Sequence, residues 1–341
     1  MSYDSGSVFI LPDPLAEWPW KRNISPHYLQ TQAESSAWIR SFNGLPPHVQ
    51  RALHLGEFEL LASLAYSLES KDVIRAGCDY IILFALFDEY SDVMTPHEVR
   101  QLAMMVMDAL QNPDKARPAG ECVLGEIARQ FWQSSLKFAS EGARRRFIKG
   151  FDEYTTKVVE EAQDRVQDLI RNIDDYILFR RSAVGMKATY VFIEFSLDLP
   201  DESFEHPIIQ RLTDTSSDLI WLINDMYSYN VEQARGENHN IVASLMHHKN
   251  IGVNEAMEWV GDYCSKLTRN FLNDLRDVPS FGEELDGQVQ HYLNGLAYCV
   301  RGNDSWSFET RRYFVEGGLD IQKTRRVVLL PRLVFSTSEM F

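Results

Sequence analysis

Two apolar stretches, Ile81 to Phe87 and Leu219 to Ile223, run straight into oxygen-bearing side chains where a core-facing helix would stay apolar. The first leads into Asp88-Glu89-Tyr90-Ser91-Asp92. The second leads into Asn224-Asp225-Met226-Tyr227-Ser228-Tyr229-Asn230-Val231-Glu232. Within each, oxygens recur four residues apart: Asp88 and Asp92, then Asn224, Ser228 and Glu232. Four residues is a little over one helical turn, so each set lines one face. Two such faces turned toward each other form an all-oxygen site suited to a hard cation such as Mg²⁺. Both motifs must therefore lie on helices, and the helices must meet.

The remaining periodicity is helical nearly everywhere, and convincing period-2 strands are absent. Helices are expected over Pro26 to Phe42, Pro47 to Leu55, Glu57 to Tyr66, Lys71 to Asp92 and Pro96 to about Gln111. They continue over Gly120 to Ala139, Gly142 to Asp174, and Tyr176 to Leu197 with a break near Gly185. Pro207 to Asn230, Asn254 to Asp277 and Phe281 to Arg301 complete the set. Asn112 to Pro118 and Leu199-Pro200-Asp201 read as loops. No linker, composition shift or repeat marks a boundary. The organisation read is an irregular segment over 1–25, one helical domain over 26–320, and a tail over 321–341.

With 45% hydrophobic and 12% aromatic residues the chain can bury a large core. A formal net charge of −15 argues against a nucleic-acid partner, since a phosphate backbone is bound through excess Lys and Arg. An acidic protein that takes an anionic ligand must hold it through metal ions and a few placed cations. Met1 to Lys21 has no basic start followed by an apolar run, so no secretory signal is expected, and Ile81 to Phe87 is far too short for a bilayer span of roughly 20 residues. A soluble cytoplasmic protein without membrane insertion is expected, as a monomer or homodimer. The four cysteines show no CxxC spacing, and Cys78 reads as a small packed hydrophobe.

The pairing of Asp88-Glu89-x-x-Asp92 with Asn224-Asp225-x-x-Ser228-x-x-x-Glu232 resembles the class I terpene synthases. Their separation is similar to that of microbial members. Two further signatures fit: Trp306-Ser307 followed by Arg312-Tyr313-Phe314, and Tyr176-x-x-x-Arg180-Arg181-x-x-x-Gly185. Leu11-Pro12-Asp13-Pro14, Trp18-Pro19-Trp20 and Pro26-His27-Tyr28 look like the mushroom (basidiomycete) sesquiterpene synthases. The likeness covers Phe9 to Phe314.

That resemblance implies an all-α bundle around an apolar pocket, with a metal site at its mouth. It implies three Mg²⁺ ions, with Asp88 and Asp92 on one side and Asn224, Ser228 and Glu232 on the other. Arg181, Arg312 and Tyr313 would donate to the substrate's diphosphate. Arg180 is an equally placed rival to Arg181, but the four-residue spacing from Arg181 to Gly185 matches the family. Arg311 rivals Arg312, and the Arg-Tyr pair sets the register. The implied substrate is farnesyl diphosphate, ionised and cyclised to a sesquiterpene. A protoilludene-type tricycle closed between carbons 1 and 11 is the expected product. Phe84 and Trp306 would line the cavity with Gly185 at the helix break. Phe87, Tyr190, Phe192 and Trp221 are further candidates that as aromatics are more often plain core.

Two positions depart from the commonest pattern: Glu89 replaces a second Asp, and Gln233 stands where many members carry Lys. His239 reads as a hydrogen-bonding residue at a helix end, and His247 and His248 as solvated or capping. A chain-elongating prenyltransferase would need a second Asp-rich motif, which the Asn-Ser-Glu set replaces. A catalytically silent isoprenoid-binding module is the alternative from another class. A di-iron bundle fails, because no Glu-x-x-His pair occurs.

Overall fold

Helix follows helix almost without interruption in the computed structural model, which describes residues 6–333. A short strand β1 (Val8–Ile10) precedes α1 (Tyr28–Arg40), α2 (Pro47–Gly56), α3 (Phe58–Ala65), α4 (Lys71–Ser91), α5 (Pro96–Gln111) and α6 (Val123–Ser135). Next come α7 (Glu141–Val166), α8 (Ile173–Ala183), α9 (Met186–Thr189), α10 (Val191–Glu194) and α11 (Asp201–Glu205). The last part holds α12 (Pro207–Arg235), α13 (Ile241–Lys249), α14 (Val253–Asp274), α15 (Glu283–Glu309), α16 (Gly318–Thr324) and strand β2 (Arg326–Val328).

Local chemistry sets many of these ends. The Thr95 hydroxyl accepts from the Glu98 amide while the Glu98 carboxylate accepts from the Thr95 amide, a capping box that starts α5 with Pro96 in its first turn. Pro207 likewise opens α12. That helix runs beyond the expected Asn230 to Arg235, where Gly236 ends it at a φ of 83°. α7 stops well short of the expected Asp174. The chain turns through Asp168 at a φ of 48°, and Asn172 caps α8 by accepting from the Asp175 amide at 3.0 Å. α15 continues past Arg301 to Glu309.

The short helices α11, α13 and α16 and the strands β1 and β2 lie outside the sequence expectations. α13 is built on Asn240 as its N-cap. β1 pairs antiparallel with β2, Val8 opposite Val328. The ends set apart as 1–25 and 321–341 therefore meet, although residues 1–5 and 334–341 lie outside the described residues.

α12 packs against α14 and α15, α3 against α4 and α15, and α7 against α5 and α9. The approach of α9 to α7 depends on Gly150, because a Cβ there would lie 2.8 Å from the Ala188 nitrogen. Phe147, Phe151, Leu86, Trp221 and Cys78 are among the fully buried side chains that fill the core. The expected all-α fold is what the chain adopts. No helix among the described residues is long and apolar enough to cross a membrane.

Candidate active site

A cavity of about 480 Å³ opens between α3, α4, α7, α8, α12 and α15. This lies within the range of roughly 300–1,000 Å³ usual for small-molecule sites. Oxygen donors and arginines line one part of it, and aromatic rings line another. Asp88 and Asp92 from α4 and Asn224, Ser228 and Glu232 from α12 all face this cavity. The two motifs do meet.

α4 delivers its carboxylates at its C-terminal end, with Asp92 as the capping residue. The helix dipole is negative there, so two carboxylates are electrostatically misplaced unless a cation joins them. Arg165 from α7 donates to the Ser91 carbonyl at 2.8 Å and to that of Met94 at 3.3 Å, which satisfies the end of the helix but not the carboxylates. Burial, countered by Arg312 and aggravated by Glu161 and Glu89, pushes Asp88 up to about 6. The cleft walls, and then the carboxylates of Asp88, Glu161 and Glu237, push Asp92 well above the carboxylate range. Both side chains still meet water in the cleft, which moderates the rise.

On α12 the support is denser. Asp225 is not on the cavity-lining face and collects donors only. The Tyr176 hydroxyl donates at 2.6 Å, Arg180 at 3.0 and 3.2 Å, and the Ile241 amide at 3.0 Å. Asn240 donates to the Asp225 carbonyl at 2.7 Å and to a Glu232 carboxylate oxygen at 2.8 Å. Burial and then Asp225 and Glu237 raise Glu232 to about 8. The opposite side of the helix is laced to the C-terminal strand. Asn230 donates to the Val328 carbonyl at 3.0 Å and accepts from the Leu330 amide at 2.9 Å, and Gln233 donates to the Leu330 carbonyl at 2.9 Å. Gln233 is thus committed to the strand rather than to the cavity.

Arg312 and Tyr313 follow α15 into the cavity. Arg312 bonds Glu89 at 2.5 Å and lies 3.9 Å from Asp88, while Asn224 donates to the Tyr313 oxygen at 2.6 Å. Arg181 requires a correction. Its side chain bonds Asp218 at 2.6 to 3.0 Å, is 42% exposed, and faces a separate pocket on the outside of α8. Adjacent helical residues lie about 100° apart. The face carrying Tyr176 turns Arg180 toward α12, and Arg180 lines the main cavity instead.

Phe84 and Trp306 line the cavity. Gly185 does not line it, but its φ of 70° and missing side chain admit the Phe84 ring, which a Cβ would meet at 2.5 Å. Phe84 stacks on Tyr154 with centroids 4.5 Å apart. Phe87, Phe192 and Trp221 are core residues, and Tyr190 faces the outer pocket with its hydroxyl 2.6 Å from that of Ser216. Sequence reasoning missed Phe58, Tyr80 and Tyr154 as lining residues. It also missed Glu161, which approaches His239 Nδ1 at 3.2 Å. Burial alone would raise Glu161, but His239 and then Arg180 and Arg165 hold it down to about 2. His239 lines the cavity and accepts from Tyr176 through its carbonyl, whereas His247 and His248 are exposed at the end of α13.

Seven carboxylates line this cavity against four arginines, so it carries excess negative charge that a cation would balance. Among the described residues no group of three or more His, Cys, Asp or Glu forms a metal-holding cluster by itself. The donor set that fits a hard metal is mixed: Asn, Ser and Glu on α12 with carboxylates on α4.

Residues 79–270 match the family model described as terpene synthase family 2, C-terminal metal binding. The chain belongs to the terpene synthase family. Delta(6)-protoilludene synthase of Stereum hirsutum is 48% identical over 94% of this chain and 88% of its own length. Sesquiterpene synthase 14 of Postia placenta is 42% identical over 97% of this chain and 94% of its own. Among solved structures, an α-eudesmol synthase superposes with a TM-score of 0.75 at 18% identity, covering 85% of this chain and 97% of that one, which shows the shared fold. This terpene synthase is accordingly a metal-dependent lyase of isoprenyl diphosphates, and the family resemblance read from its motifs is borne out.

Proposed function

We propose that this terpene synthase ionises farnesyl diphosphate, folds and cyclises the resulting cation to a sesquiterpene hydrocarbon, and releases diphosphate. The observation that carries the reading is one cavity with two chemistries, oxygen donors and arginines beside a wall of aromatic rings. Asp88, Asp92, Asn224, Ser228 and Glu232 would hold Mg²⁺, three ions in this reading. Bound metal supplies Lewis-acid stabilisation of the charge that builds on the departing diphosphate. Arg180 takes the diphosphate-facing role first read for Arg181. Its Nε and Nη2 are held by Asp225, so Nη1 is left for a substrate oxygen. Arg312 and Tyr313 donate from the other side, Arg312 with a fork that stays charged and can bond two oxygens.

Phe58, Tyr80, Phe84, Tyr154 and Trp306 exclude water from the hydrocarbon and turn ring faces toward it. A desolvated aromatic face stabilises a cation by about 2 kcal/mol or more. The names of the relatives support a fifteen-carbon substrate and a protoilludene-type tricycle formed by closure between carbons 1 and 11. A cytoplasmic enzyme, monomeric or homodimeric, completes the reading.

Incubation of the purified protein with farnesyl diphosphate and Mg²⁺, followed by gas chromatography and mass spectrometry, tests it directly. A volatile tricyclic hydrocarbon with stoichiometric diphosphate is expected. Intact substrate after incubation, with or without metal, would sink the proposal.

A further inference from the structure

A second cavity, of about 220 Å³, lies on the outer side of the helix break. Arg181, Ser182, Thr213 and Asp214 give it a polar rim, and the first and last of these are exposed. Met186 lines this outer pocket and also lines the reaction cavity. Among the described residues it is the one residue the two share. Ala183 and Val184 line only the inner cavity, and Lys187 and Tyr190 only the outer. At Met186 the wall between them is therefore one residue thick. The thinness follows from the backbone. Gly185 breaks the helix with its left-handed φ of 70°, and α9 beyond it is four residues long.

We propose that Met186 is a specificity-determining partition, which keeps water in the outer pocket from the carbocation and so directs termination to an alkene rather than an alcohol. This rests on the reading above that the inner cavity holds the farnesyl-derived cation. A thioether suits the position, because an unbranched chain fills an irregular gap without an O–H or N–H to order water against the cation. When the side chain is cut back, a water oxygen can form a C–O bond to the cationic carbon. The oxonium proton then leaves to bulk water through the same opening, so the alcohol forms without any oxidant. With Met186 in place, the cation instead loses a proton and the product stays a hydrocarbon.

The test compares the parent enzyme, Met186→Leu, Met186→Ala, and Met186→Ala combined with Ser182→Leu, which refills the outer pocket. Each is given farnesyl diphosphate in ¹⁸O-labelled water, and both volatile products and released diphosphate are measured. Met186→Ala should raise the alcohol fraction at least about five-fold, with ¹⁸O in the alcohol, while diphosphate release stays within about three-fold of the parent. Met186→Leu should remain close to the parent, and Ser182→Leu should return the double variant toward hydrocarbon. A residue that merely filled the core would lower thermal stability and total turnover without changing product class. Should Met186→Ala fail to fold, Met186→Val gives the same reading with a smaller alcohol rise. An unchanged alcohol fraction in the folded, truncated variant overturns the partition and leaves the proposed function standing. A parent enzyme that releases no diphosphate overturns both.

Discussion

α4 and α12 bring their oxygens to one cavity in opposite ways. α12 carries Asn224, Ser228 and Glu232 along its length and is braced on other sides by Tyr176, Arg180, Asn240 and the C-terminal strand. α4 simply ends. Its Asp88 and Asp92 project from the negative pole of the helix, with Arg312 3.9 Å from Asp88 as the nearest cation. One set of donors is prearranged by hydrogen bonds, whereas the other carries like charge with little to balance it. Damage to the two helices should therefore read out differently, in stability on α12 and in turnover alone on α4.

The largest effect is expected at Asp225, which is buried and surrounded by donors. Asp225→Ala should cost about 3 kcal/mol or more of stability, because Arg180 loses its buried partner. Turnover should fall with it, and both are read from chemical denaturation and diphosphate release. Equal stability in the variant would break the contrast. Asp88→Asn should cut turnover at saturating Mg²⁺ at least about 100-fold. Its melting temperature should stay the same or rise by a few degrees, since a repelling charge is removed. A clear loss of stability there would mean that α4 is braced after all.

The adjacent arginines sharpen the comparison further. Arg180→Lys should slow turnover about ten-fold, because the bidentate hold on Asp225 is lost along with the free guanidinium N–H. Arg181→Lys, on the outer face with Asp218, should stay within about two-fold. The reverse ranking would restore the sequence-based choice. A modest effect is expected at Asn230, whose side-chain amide holds Val328 and Leu330. Asn230→Ala should cost about 1 kcal/mol for its hydrogen bonds and raise the Mg²⁺ requirement a few-fold through slack at Glu232. Metal titration of turnover measures it.

The motif faces were legible in the sequence because a helix converts four-residue spacing into a shared direction without further information. Arg180 and Arg181 were not separable in that way. Which one enters the cavity is decided by Asp225 and Asp218, residues of another helix. The aromatic wall was half legible: Phe84 is fixed by its turn relative to Asp88, but Tyr80 and Tyr154 read as core in any apolar helix. They line the cavity beside Phe84, which stacks on Tyr154, lies tilted to Tyr80 and finds room against Gly185. α13 is short and ends in His247-His248-Lys249, so its helical pattern was weak even though Asn240 caps it well. The strand pair had no local signal, since three residues at each end cannot show alternation.

That strand pair also sets a timetable. Val8 meets Val328 only after nearly the whole described chain has been made. At roughly 5–20 residues per second, synthesis keeps β1 waiting for tens of seconds. Until β2 and the residues after it emerge, the amides of Asn230 and Gln233 lack these partners, and the rear of α12 lies open. The nascent enzyme can therefore stack its bundle early but gain the full bracing of α12 last. Contacts of such sequence separation are slow to close in any chain. A ribosome-bound intermediate stalled before Arg326 should be helical, compact and poor at using metal.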